Sequence, residues 1–150
     1  MSRRALTSFR IGAWAWVITG AGHLAAEGAL ALRPADPEAA HVLTAMSEYR
    51  IEVVGIARSL RDLDRGMSFV MAAALIFGGV VCLLVARSAP DLVTRSRSLS
   101  GLALGASLVV LALSVGLLPA PPIVLFTVAC AAFGWALAAH PAPADRPTPV

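Results

Sequence analysis

The sequence predicts an all-α membrane fold: a bundle of four transmembrane helices, with an amphipathic helix between the first and second spans. Three observations carry this. Of 150 residues, 58% are hydrophobic and only 14% charged, with a mean hydropathy of +0.78, which no ordinary soluble domain shows. The apolar residues gather into four runs, each approaching the ~20 residues that cross ~30 Å of hydrocarbon as a helix. All 12 basic residues are arginine and they flank the apolar runs, so the basic pI of about 9.7 reads as topology and lipid headgroups, with no nucleic acid as partner.

The first run covers residues 9–32. It follows Met-Ser-Arg-Arg, and Ala29-Leu30-Ala31 has the look of a cleavage site. The run is about twice the length of a signal-peptide core and three more runs follow it, so an uncleaved first helix is expected. Residues 37–64 read as an amphipathic helix. Asp36 suits the N-cap, Pro37 the first helical position and Glu38 the first turn. Leu43, Met46, Val53, Ala57 and Leu60 recur at helical spacing, while Glu48, Glu52, Gly55, Ser59 and Asp62 fall on a second stripe. The remaining runs are 67–86, 99–118 and 122–139. The second and third are joined by a short loop bearing Arg87, Arg95 and Arg97, the third and fourth by an uncharged turn, Pro119-Ala120-Pro121-Pro122. Gly20-x-Gly22, Gly78-Gly79 and Gly101-x-x-x-Gly105 are close-packing patterns, the last a route to a homo-oligomer. The tail, residues 140–150, is proline-rich and reads as disordered or polyproline-like. Cys82 and Cys130 lie in apolar runs and read as small buried hydrophobes.

Arginine placement sets the orientation. Arg3, Arg4, Arg10, Arg87, Arg95, Arg97 and Arg146 fall on one side, while the five between Arg33 and Arg65 are offset by six acids. The positive-inside rule then predicts a multi-pass protein of the inner (plasma) membrane with both termini cytoplasmic. Trp14, Trp16 and Trp135 lie towards that same side, as an aromatic belt would.

Candidate chemistry centres on ionisable residues near apolar walls. His23 and Glu27 lie four apart inside the first run, on one helical face. An ionisable group in mid-span costs about 2.5–3.5 kcal/mol on insertion scales and by default marks function. The pair would act as an acid/base couple; the plainer alternatives are a polar clasp between helices, or a Glu27 that reaches solvent. Glu48, Glu52 and Asp62 would either face the bundle as a carboxyl cluster or form a solvated face. In Arg58-Ser59-Leu60-Arg61-Asp62-Leu63-Asp64-Arg65 an arginine would bind an anionic headgroup or hold a carboxylate ionised, against the alternative of a salt-bridged helix end. No cofactor is expected. No metal is expected either, since His23 and Glu27 gain a third ligand only if His41 folds back. Phosphate loops, nucleophile elbows, CxxC pairs and dinucleotide fingerprints are absent from the sequence.

Gly20-Ala21-Gly22-His23-Leu24, then Gly55-Ile56-Ala57-Arg58-Ser59-Leu60 leading into Arg65-Gly66-Met67-Ser68-Phe69, resembles a widespread group of small uncharacterised bacterial four-helix integral membrane proteins. The likeness covers about half the chain and implies no settled activity. In size and helix count the chain is also similar to the small integral membrane terpene cyclases of bacterial indole-terpenoid pathways. That resemblance implies a buried carboxylic acid that protonates an olefin or epoxide on a prenyl chain, within an aromatic-lined pocket. Glu27, Glu48, Glu52 or Asp62 would supply the acid. Trp14, Trp16, Tyr49 and Phe69 would line the pocket and steady a cation.

Two function classes follow. One is an intramembrane acid/base enzyme, a cyclase or isomerase acting on a lipophilic, terpenoid-like substrate. The other is a non-enzymatic membrane protein, either a small-molecule carrier or a partner subunit of a membrane complex.

Overall fold

The computed structural model describes residues 2–34 and 37–139. The fold is all-α apart from one short hairpin, and runs α1 (Ser2–Leu32), α2 (Pro37–Glu48), β1 (Arg50–Val53), β2 (Ile56–Ser59), α3 (Leu60–Ser88), α4 (Pro90–Arg95), α5 (Arg97–Leu117) and α6 (Ala120–Ala138). Three helices, α3, α5 and α6, are long and apolar enough to cross a membrane. They match the second, third and fourth expected spans. At 31 residues α1 has the length, but Arg10, His23 and Glu27 dilute its apolar character and it is not one of the three. The Asp36 cap and the proline-rich tail lie outside the described residues.

The expected amphipathic helix over residues 37–64 is replaced by three elements: α2, the hairpin, and the first turn of α3. The physical reason is local. Ile51, Val53, Val54 and Ile56 put four β-branched residues within six positions, which lowers helix propensity and favours a strand. Val54 and Gly55 both take positive φ, 52° and 79°, making the two-residue turn of a tight hairpin. The strands pair antiparallel as Arg50↔Ser59, Ile51↔Arg58, Glu52↔Ala57 and Val53↔Ile56. The Leu60 amide donates to the Tyr49 carbonyl at 2.9 Å and closes the ladder. Ser59 then caps α3: its hydroxyl accepts from the Asp62 amide at 3.1 Å. The stripe of Glu48, Glu52, Gly55, Ser59 and Asp62 therefore does not exist as one helical face.

The chain divides into two compact bodies, Met1–Trp16 with Gly78–Val150, and Val17–Phe77. In the first body α5 and α6 make the most extensive helix–helix contact. The buried residues of the two helices are mostly small: Ser100, Ala103, Ser107 and Ser114 on α5, Ala129, Ala132 and Ala136 on α6. Such residues let membrane helices approach closely. Phe126 and Phe133 are the large buried side chains of α6. Phe133 meets Phe9 and Trp16 edge-on, with centroids 5.3 and 5.7 Å apart. Gly12 makes room for that ring, since an added Cβ would lie 2.7 Å from Phe133. Trp16 donates its indole N–H to the Ser107 hydroxyl at 3.0 Å, and Ser107 in turn donates to the Ala103 carbonyl. Arg10 donates to the Ala86 carbonyl at 3.2 Å, satisfying the last turn of α3. Cys82 and Cys130 are both free thiols.

In the second body the remaining half of α1 meets α3 through Gly20. A Cβ there would sit 2.6 Å from the Ala72 carbonyl oxygen and 2.8 Å from Ile76, so only glycine permits this approach. Gly22, Gly101 and Gly105 face open space, so they do not serve the packing of this chain. The helix α2 has no buried residue.

Candidate functional site

The feature with the makings of a site is a cleft along the first three turns of α3, lined by Arg58, Asp62, Leu63, Gly66, Met67, Val70 and Met71, with a volume of about 520 Å³. Binding sites for small molecules occupy roughly 300–1,000 Å³. The local sequence explains its shape. Residues 62, 63, 66, 67, 70 and 71 follow the i, i+4 spacing of one helical face, and Gly66 leaves the middle of that face bare. The trough spans about 14 Å of helix at 1.5 Å per residue. Its walls are apolar, and its two charged residues both belong to the end nearest the hairpin. Arg58 comes from β2, held on the third rung from the turn opposite Ile51. Asp62 sits in the first turn of α3, where a carboxylate also complements the helix dipole.

Neither Arg58 nor Asp62 has an ion-pair partner; among the described residues the only salt bridge is Asp91–Arg95, at 3.6 Å and fully at the surface. The expected pairings within 58–65 are therefore not formed. The cleft is open: Met67 is 74% and Val70 70% exposed.

The other predicted site residues distribute as follows. His23 and Glu27 are each half-buried on α1 and are joined to one another by neither hydrogen bond nor ion pair. The Nε2 of His23 is buried and without a hydrogen-bond partner. Glu48 and Glu52 are exposed, Glu48 at the end of α2 and Glu52 on β1, and Asp62 is exposed as well. Of the five candidate acid/base residues only Asp62 reaches the cleft. Among the candidate binding residues Arg58 lines it, whereas Phe69 and Tyr49 point outward and are exposed. Trp14 is exposed, and Trp16 is engaged by Ser107 and Phe133 in the first body. No three His, Cys, Asp or Glu side chains converge on a common point among the described residues.

Gly66, Met67, Val70 and Met71 escape a search for ionisable residues, because their contribution is shape. Their spacing on one face beside a bare glycine is nonetheless legible in the sequence. Comparison with protein-family models, with curated proteins and with solved structures finds no match for this chain.

Proposed function

We propose that the chain is a multi-pass protein of the inner membrane that carries or presents a lipophilic small molecule, seated in the cleft along α3. One observation supports this above others: an apolar trough of about 520 Å³ ends in an unpaired guanidinium and an unpaired carboxylate. An amphiphile with that trough's complement has an apolar tail and a headgroup carrying both an anion for Arg58 and a donor for Asp62. A phosphatidylethanolamine-type headgroup has both. In this reading α1 is the fourth span, which returns both termini to the cytoplasmic side, and Gly101 with Gly105 offers contact to a second copy.

The test is binding of a phosphatidylethanolamine labelled on its acyl chain, titrated into the purified protein in detergent. A charge-assisted hydrogen bond is worth about 1.5–3 kcal/mol. Arg58→Gln is therefore expected to weaken binding tenfold or more, and Met67→Glu, which puts a charge on the apolar wall, to weaken it similarly. Unchanged affinity in both variants would remove the cleft as the site.

The acid/base reading, a cyclase or isomerase, keeps one supporting observation, that Asp62 lines the same apolar cleft. Its carboxyl cluster does not find support, because Glu48 and Glu52 are exposed and lie outside that cleft. It predicts that Asp62→Asn abolishes ring closure of an epoxidised prenyl chain while leaving the labelled lipid bound.

A further inference from the structure

The hairpin that displaces the expected helix has an unusual distribution of polarity. In a hairpin on a protein surface, apolar and polar residues alternate across the two faces. Here β1 alternates as Arg50-Ile51-Glu52-Val53, but the alternation stops at the tip, which is apolar on both faces. The rung nearest the turn is Val53↔Ile56 and the turn itself is Val54-Gly55. Val54 is 96% exposed and Val53 and Ile56 60% each, and no polar side chain lies among them. The next rungs pair Glu52 with Ala57, Ile51 with Arg58 and Arg50 with Ser59, so each carries a charge.

The turn is also made with the wrong residue for water. A two-residue turn with positive φ at both positions favours Asn-Gly or Asp-Gly, whose first side chain tolerates that backbone and hydrates well. Valine at a φ of 52° is a genuine outlier for a β-branched residue. The chain thus carries a strained backbone to place an aliphatic side chain at the most exposed point of the hairpin.

We infer that this tip is a membrane-inserting wedge: Val53, Val54 and Ile56 dip into the lipid at the headgroup boundary, while Arg50 and Arg58 remain at the level of the phosphates. Three points favour lipid as the occupant. The hairpin passes into α3 without an intervening loop residue, so it is fixed to the start of a helix apolar enough to cross the bilayer. The arginines at the base complement anionic phosphates in charge. The depth also agrees. Glu52 limits insertion to the turn and the first rung, about 7 Å at 3.4 Å per residue, and interfacial elements bury their apolar surface about 5–10 Å into the headgroup and acyl boundary. The inserting residues themselves, Val53, Val54 and Ile56, do not line the cleft; Arg58 alone belongs to both.

Depth measurement by spin labelling tests it. Cysteines would be placed singly at positions 54, 56 and 50 (Val54→Cys, Ile56→Cys, Arg50→Cys) in a chain whose Cys82 and Cys130 are replaced by serine, and the full-length protein reconstituted in phosphatidylethanolamine–phosphatidylglycerol vesicles. Collisions with dissolved oxygen, which concentrates in lipid, would be compared with collisions with a water-soluble nickel chelate. Labels at 54 and 56 are expected to favour oxygen several-fold over the label at 50. Equal preference at all three positions would overturn the inference, placing the tip in water. Low accessibility to both reagents at 54 would overturn it too, placing the tip against protein.

Discussion

Gly20 is the residue on which the contact between α1 and α3 in the second body depends. Its neighbour is a backbone carbonyl, which cannot turn aside as the end of a side chain can. Gly20→Leu should therefore destabilise the protein by about 1–3 kcal/mol or more, the range for overpacking. Gly22→Ala, two residues on and facing open space, should be neutral or slightly stabilising. Unfolding of the two variants in mixed detergent and denaturant reads the difference directly. The sequence shows both as Gly20-x-Gly22 and does not distinguish them, because the distinction lies in the register of α3 against α1. Trp16 carries the same lesson. Its aromatic ring suggests a pocket wall, yet its indole N–H is paired with Ser107, 91 residues away. Gly12 is legible only once Phe133 is known to lie over it. Residue chemistry was readable, and partners brought from distant segments were not.

At the scale of the element, apolar runs locate α3, α5 and α6 to within a few residues at their C-terminal ends, because a span is defined by hydrocarbon thickness more than by any specific contact. The region from residue 50 to 59 is where helical spacing misleads. Leu43, Met46, Val53 and Ala57 do recur with helical period, but local propensity outweighs the pattern when β-branched residues surround a glycine. The start of α3 was also written in the chain, as Ser59-Leu60-Arg61-Asp62, a serine followed three residues later by an acid. Gly55 is the residue that makes the turn. Gly55→Ala places a Cβ at a φ of 79° and should cost about 1–2 kcal/mol. Opening of the hairpin would then rise by roughly 5–30-fold. Hydrogen exchange at the Leu60 amide, whose carbonyl partner is Tyr49, is the measurement. An unchanged exchange rate there would mean that the turn is not what holds the strands together.

For the whole molecule the proposed topology makes the α5–α6 turn the most informative position. With both termini cytoplasmic and α1 counted as a span, Ala120 lies on the outer side. A single cysteine at 120, in a chain otherwise without cysteine, should react with an impermeant maleimide added outside intact cells. Reaction only after the cytoplasmic face is opened would reverse the orientation. Arg3 and Arg4 line a shallow hollow of about 280 Å³ with Trp135, the pairing of positive charge and indole expected at a cytoplasmic interface. That the chain belongs in a membrane was legible from composition alone. The cleft was not, since it is made by the relief of side chains on one helical face and by the residue that a preceding strand brings to its end.

The absence of buried side chains on α2 has a kinetic consequence. A free helix of 12 residues is at the edge of stability in water, and tertiary packing is what usually secures it. With only the half-buried Ala39, Leu43 and Met46 and a slight contact with β2 to secure it, α2 should open and close far more often than the helices on either side. Proteases cleave where the backbone opens, and α2 has an arginine near each end, Arg33 and Arg50. Brief trypsin treatment of the folded protein is expected to nick it first after Arg50, since the bond after Arg33 leads into Pro34 and resists trypsin. The α1 fragment should then stay with the α3–α6 fragment through native gel electrophoresis, since Gly20 against Ala72, Phe9 against Phe133 and Arg10 against Ala86 hold them without the covalent link.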